Sequence, residues 1–232
     1  MEIIAEIGQN HNGDMGLARE LICAAKENGA DAVKFQVYDA RALFPQENNP
    51  WYDYNLSTEL TRKDILNLAE FCSEQKIEFF ASVFDTQRIA WLEEIHVKRY
   101  KVASRSIHDS GLIDALNSTG KQLLVSLGMW EHEDFPDIQS PNEVSYLYCI
   151  SQYPTPLDKI KLNHVDFNKY AGFSDHSIGI SAAMAAFARG AKIIEKHFTL
   201  DKNMYGPDHS CSMTPSELAR LNLFRNDLKQ LL

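Results

Sequence analysis

Two stretches of the chain end an apolar run on a histidine near a carboxylate: Gly172-Phe-Ser-Asp-His176 and Lys192-Ile-Ile-Glu-Lys-His-Phe-Thr199. If they are neighbouring parallel strands, His176 and His197 leave the same sheet edge. Two imidazoles there hold one divalent metal, with carboxylates or water completing its shell. The alternative is that both are ordinary core or strand-end histidines. The loop Tyr205-Gly-Pro-Asp-His209 follows and can bring Asp208 back over that edge. Lys34 and Lys101 lie inside apolar runs, and period-two alternation turns both inward if Phe35 and Val102 point outward. Otherwise they are strand-end lysines that snorkel. Two inward ammonium groups near Ser104 and Ser174 make a pocket for a phosphate or carboxylate. A Schiff-base lysine is the rival chemistry. Glu6 sits inside the first apolar run, where an unpartnered carboxylate is costly. It reads as an ion-pair partner of Lys34 or as a general acid/base. Tyr153-Pro-Thr-Pro156 reads as a rigid strand exit, whose tyrosine can orient a substrate.

The elements that must position these groups alternate. Strands are predicted at Ile3–Gly8, Asp31–Val37, Glu78–Val83, Tyr100–Ser104, Gln122–Gly128, Ser145–Ser151, Gly172–His176 and Lys192–Thr199. Helices are predicted at Met15–Asn28, Arg62–Gln75, Thr86–Ile95, Ile107–Ser118, Ser181–Arg189 and Pro215–Leu232. Strands joined by such crossovers are parallel, and eight in series read as an α/β fold, a (β/α)8 TIM barrel in a single domain over residues 1–232. An open doubly wound sheet is disfavoured, because Gly8-Gln-Asn-His-Asn-Gly13 lacks the G-x-G-x-x-G spacing. The segment Met129–Val144 is short and acidic and holds two prolines. A shortened or missing helix is therefore expected between strands five and six, leaving a bare patch outside the barrel. The long loop Tyr38–Leu60 belongs to a class that is usually functional.

In such a barrel the chemistry sits at the carboxyl ends of the strands. Polar residues gather there strand by strand: Glu6 with Asn10, His11 and Asn12; Lys34 and Gln36; Ser82; Lys101 and Ser104; Ser126; Ser151 and Tyr153; Ser174, Asp175 and His176; Glu195 and His197. A barrel filled only for packing would carry Val, Ile and Leu at these places.

The net charge of −9 argues against a nucleic-acid surface, which needs a basic field. No apolar run approaches about 20 residues, so no membrane span is expected. The start has no basic region of a signal peptide. Cys23, Cys72, Cys149 and Cys211 form no C-x-x-C pair and read as structural free thiols in a reducing, cytoplasmic compartment.

Seven motifs follow in order: Ala5-Glu-Ile-Gly-Gln-Asn-His-Asn-Gly13, Ala30-Asp-Ala-Val-Lys-Phe-Gln36, Tyr100-Lys-Val-Ala-Ser104, Tyr153-Pro-Thr-Pro156, Phe173-Ser-Asp-His176, Glu195-Lys-His-Phe-Thr199 and Gly206-Pro-Asp-His-Ser-Cys-Ser-Met213. Together they resemble the catalytic barrel of the sialic acid synthase family, from about Ile3 to the last helix. The resemblance implies condensation of phosphoenolpyruvate with the open-chain aldehyde of an N-acylated hexosamine. It implies Mn2+ or Mg2+ on His176 and His197. It also implies phosphoenolpyruvate contacts from Lys34, Ser82, Lys101, Ser104, Ser151 and Ser174, sugar contacts from Gln36, Tyr153 and Asp208, and an acid/base role for Glu6.

Three departures stand out. The family commonly carries a C-terminal antifreeze-like domain that lends an arginine to the partner's sugar site in a swapped dimer, and this sequence stops at Leu232. The family's Gly-Glu is replaced by Arg105-Ser106, which removes a sugar-contacting carboxylate. The region between strands five and six is short. The expected acceptor is therefore shifted or smaller, or an arginine comes from another polypeptide. A homodimer is the expected assembly, with a separate antifreeze-like lid protein as a further expected partner. The competing functions are a Schiff-base aldolase using Lys34 or Lys101, and a barrel subunit that binds ligand but turns over only with a lid chain.

Overall fold

A computed structural model describes residues 1–140 and 143–232. Eight strands, β1 (Glu2–Gly8), β2 (Ala32–Val37), β3 (Glu78–Val83), β4 (Arg99–Val102), β5 (Gln122–Ser126), β6 (Val144–Cys149), β7 (Gly172–Asp175) and β8 (Ile193–His197), pair in sequence order and all in parallel. β8 closes onto β1, with Glu6 opposite His197 in the ladder. The helices are α1 (Met15–Glu27), α2 (Ala40–Leu43), α3 (Tyr52–Ser57), α4 (Arg62–Glu74), α5 (Ile89–Glu94), α6 (Ser110–Asn117), α7 (Ser181–Ala188) and α8 (Pro215–Leu231). This is the expected (β/α)8 barrel.

Local chemistry sets the helix starts. The Asp14 carboxylate accepts from the Gly16 and Leu17 amides to open α1, satisfying donors that have no partner within the helix. Thr61 with Asp64 and Thr214 with Glu217 form reciprocal capping boxes at α4 and α8. In α7, Ala182, Ala183, Ala186 and Phe187 are buried, and its small side chains let it pack closely against the sheet and α8.

As expected, no helix joins β5 to β6 among the described residues. Neither does an α-helix join β6 to β7, where only the 3-10 turns Leu157–Lys159 and Leu162–His164 occur. The prolines at 154 and 156 cannot donate into a helical ladder there. The expected bare patch is covered. Phe135 packs against Tyr146 and Tyr170 with ring centroids 4.7 Å apart in both pairs, and Tyr148 lies 5.9 Å from Tyr170. These aromatic rings do the work of the missing helices.

The barrel interior is stratified. At the amino-terminal end Arg99 pairs with Glu2 and Glu78 and stacks 4.6 Å over the Phe80 ring. Above it lies an apolar layer of Ile4, Ala32, Phe80, Leu124, Leu147 and Ile193. Gly172 adjoins this layer because a Cβ there would stand 2.0 Å from the Ile193 carbonyl oxygen. Period-two alternation then turns the next residue on each strand, Glu6, Lys34, Ser82, Lys101, Ser126, Cys149, Ser174 and Glu195, into the same lumen one layer higher. The apolar layer is the floor on which these polar groups stand.

Candidate active site

Four buried charges occupy the polar layer: Glu6, Lys34, Lys101 and Glu195, each at most 5% exposed. Lys34 Nζ lies 2.5 Å from Glu6 Oε2 and 3.7 Å from Glu195 Oε2, and it donates to Ser82 Oγ at 3.0 Å. Lys101 Nζ donates to Ser126 Oγ at 2.7 Å and to the Val102 carbonyl at 3.1 Å, with Glu195 Oε1 at 3.8 Å. Ser174 donates to Glu195 Oε1 at 2.8 Å. Burial works against the Lys34 ammonium, but Glu195 and Glu6 outweigh it and hold its pKa above the ordinary lysine value. At Lys101 burial prevails, with Lys34 adding like-charge repulsion, and the pKa falls below that value. Burial also opposes the Glu195 carboxylate, yet Lys101, Lys34 and the Ser174 hydroxyl hold it at about 2. The two lysines therefore differ. Lys34 is neutralised in contact by Glu6, while Lys101 has its nearest carboxylate, Glu195, at 3.8 Å and no contact ion pair of its own.

Gln36 donates to Glu6 Oε1 at 3.2 Å. Beyond it stand His176 and His197, with ring centroids 5.8 Å apart. His176 Nδ1 meets the Ile150 carbonyl at 2.9 Å, so it carries the proton and leaves Nε2 as a lone-pair donor. His197 Nδ1 is buried with no hydrogen-bond partner, and Asp208 Oδ2 stands 3.9 Å from it. Burial lowers the His197 pKa, which favours the neutral, ligating form. No group of three or more His, Cys, Asp and Glu side chains able to hold a metal occurs among the described residues. The imidazole pair nevertheless fits a divalent ion: one nitrogen is orphaned, the other ring is fixed through its far nitrogen, and their spacing suits metal–nitrogen bonds of about 2.0–2.1 Å. Water or substrate oxygens would complete the shell.

The polar layer opens outward. A small inner pocket of about 50 Å3 is lined by Glu6, Lys34, Lys101, Ser126, Ser174 and Glu195, among others. It shares Gln36, Ser104, Tyr153 and His197 with a chamber of about 580 Å3 above it, which Phe44, Phe84, Arg105, Met129, Ser151 and Asp208 also line. Tyr153 lies 4.0 Å from the His176 ring and caps the imidazole pair. At Gly128 a Cβ would stand 2.5 Å from Ser151 Oγ and 2.9 Å from both Cys149 Sγ and Ser104 Oγ. The absent side chain leaves a cradle whose floor is the Gly128 amide, now donating to Ser104 Oγ at 3.1 Å.

All twelve predicted site residues thus meet at one barrel mouth. Glu6, Lys34, Gln36, Ser82, Lys101, Ser104, Tyr153, Ser174, His176 and His197 line the inner pocket, whereas Ser151 and Asp208 face the outer chamber. Two readings change. Asp175 does not serve His176; it turns to the opposite face and pairs with Lys196 at 3.0 Å, both fully buried. Cys149 is not a packing thiol: its Sγ sits 3.5 Å from Ser104 Oγ and 3.9 Å from His176 Nδ1 in the inner pocket wall. Glu195, the partner of both lysines, was visible in sequence only as a strand-eight carboxylate. Its place two residues before His197, and so on the same face, was the available signal.

The chain matches the NeuB family over residues 21–231. It belongs to that family. It is similar to the N,N'-diacetyllegionaminic acid synthase of Legionella pneumophila, 37% identical over 247 residues covering 94% of this chain and 69% of that protein. It is 32% identical over 243 residues to the human N-acetylneuraminate-9-phosphate synthase, covering 94% of this chain and 67% of that one. The structure of an N-acetylneuraminic acid (sialic acid) synthetase from Leptospira borgpetersenii, in complex with citrate, superposes with a TM-score of 0.90 at 33% identity, covering 99% of this chain and 84% of that chain. The chain is thus an enzyme of the sialic acid synthase family, built on that family's catalytic barrel. Among the described residues no helix is long and apolar enough to cross a membrane.

Proposed function

We propose that the chain condenses phosphoenolpyruvate with the open-chain aldehyde of an N-acylated hexosamine, or a related sugar, to give a nonulosonic acid and phosphate. The observation that carries this is the polar layer itself: Lys101 with no contact ion pair of its own, a neutralised Glu6–Lys34 pair, and two imidazoles at the same mouth. Lys101, Ser104, Ser126 and the Gly128 amide offer a cation and N–H or O–H donors to the acid's phosphate and carboxylate. Gln36, Tyr153 and Asp208 face the chamber where the sugar would lie. In the reaction C3 of the enol bonds to the aldehyde carbon, whose oxygen takes a proton. Water adds at C2, and the C2–O bond breaks to release phosphate. Glu6, in contact with Lys34 and Gln36, is placed to hold or pass those protons. His176 and His197 would hold Mn2+ or Mg2+, which supplies Lewis-acid polarisation when bound.

The test is phosphate release from phosphoenolpyruvate with Mn2+ and a panel of N-acylated hexosamines. Release that depends on both sugar and enzyme supports the proposal, and release by Lys101→Met at wild-type rate counts against it. Turnover appearing only with an added protein would instead favour the barrel-subunit reading. The lowered pKa of Lys101 favours one rival, a Schiff-base aldolase. Borohydride trapping of a pyruvate imine on Lys101 would establish the rival and remove the synthase.

A further inference from the structure

Arg105 follows β4 directly, and β4 stands across the barrel from β8, four strands away in either direction. β8 carries His197, and the loop after it carries Asp208. The chamber of about 580 Å3 reaches from that pair to Arg105. Among its lining residues Arg105 is the one lysine or arginine and Asp208 the one carboxylate. Arg105 stacks 5.2 Å over the Phe44 ring. Among the described residues it has no carboxylate within 4.0 Å and no hydrogen-bond acceptor, whereas Arg88 after β3 and Arg99 at the barrel floor are both paired with acids. In a chain of net charge −9, a guanidinium left unpaired at a site rim is a binding group without its partner. Its planar fork suits a phosphate or carboxylate.

We infer that the acceptor sugar carries an anionic group, a phosphate ester or a carboxylate, at the end of its carbon chain remote from the aldehyde, and that Arg105 binds it. This rests on the synthase reading, because it takes the aldehyde to lie at the imidazole pair. An extended acceptor then runs across the mouth from β8 to β4 and brings its far end to Arg105. Phe44 and Phe84 wall that end of the chamber and lower the local polarity, which strengthens a guanidinium–anion contact. The neutral part of the chain faces Gln9, Gln36 and Ser151.

The test uses acceptor mimics that cannot react. Binding of a 2-acetamido-2-deoxyhexitol, its 6-phosphate and the matching terminal carboxylate is measured by calorimetry with the full chain, alongside phosphoenolpyruvate. At least one anionic mimic should bind about tenfold or more tightly than the neutral one, the scale of a single charged hydrogen-bonding contact. Which anion wins identifies the group. Arg105→Gln should erase the preference and leave the neutral mimic and phosphoenolpyruvate unchanged, and Arg105→Lys should restore part of it. Equal binding of all three mimics by the wild type overturns the inference. So does an Arg105→Gln variant that weakens all of them alike, which is the mark of a merely structural stack on Phe44. If phosphoenolpyruvate binds and no mimic does, the inference fails and the synthase reading stands. If phosphoenolpyruvate does not bind either, both fail.

Discussion

Replacing Glu195 by Gln removes one charge from a buried set of four while keeping shape and the acceptor for Ser174. The carboxylate is 5% exposed, with Lys34 at 3.7 Å and Lys101 at 3.8 Å. Its pKa is held at about 2 against an ordinary 4.5. A folded value below the unfolded one contributes stability above pH 4.5, which is lost as pH falls toward 2. The gap corresponds to about 3 kcal/mol at neutral pH, which agrees with the roughly 3–5 kcal/mol seen when one partner of a buried ion pair is removed. Urea unfolding at pH 7, followed by tryptophan fluorescence, should show a loss of about 3 kcal/mol with an unchanged slope. In a chain of this size that lowers the melting temperature by about 6–12 °C. The difference from wild type should shrink as pH drops below about 4.5. A loss under about 1 kcal/mol, or one that is the same at pH 3 and pH 7, refutes the charge-layer account.

Other outcomes follow from single sites. Burial holds His11 at about 4 against 6.5, so the unfolded chain takes up a proton that the folded chain refuses. Wild-type stability should fall by up to about 3 kcal/mol between pH 6.5 and 4, and His11→Gln should lack that fall; parallel curves would contradict it. Gly128→Ala fills the cradle between Ser104, Cys149 and Ser151. It should cost about 1–3 kcal/mol of stability and weaken phosphoenolpyruvate binding in calorimetry, and unchanged affinity would remove the cradle from the site. The double variant His176→Ala/His197→Ala should reduce Mn2+ binding to background in a titration followed by electron paramagnetic resonance, whereas wild-type affinity in that variant would place the metal elsewhere.

Much of this was legible in the sequence because strand alternation is a strong signal. Lys34, Lys101 and Glu6 each interrupt an apolar run, and once the runs are strands their facing follows. The histidines were found the same way. The carboxylates beside them were harder, since adjacency along a strand means opposite faces. Asp175 therefore serves Lys196, and Glu195, two residues from His197, serves the site. Cys149 was misread because a thiol inside an apolar strand has the same sequence signature whether it packs or lines a pocket. Between β6 and β7 no helix was predicted and no α-helix occurs, but what stands in its place was not legible. Its replacement is the contact of Phe135, Tyr146, Tyr148 and Tyr170, which come from separate segments. Arg105 was recognisable as a departure, but only the fold shows that it lines the chamber.

The most direct measurement follows the bridging oxygen of phosphoenolpyruvate. With 18O at that position, Mn2+ and an accepted sugar, water addition at C2 predicts that the label leaves with phosphate and is absent from the nonulosonic acid. Label retained in the sugar acid, or no coupled release of phosphate with any acceptor, would contradict the assignment of this barrel mouth as a condensing site.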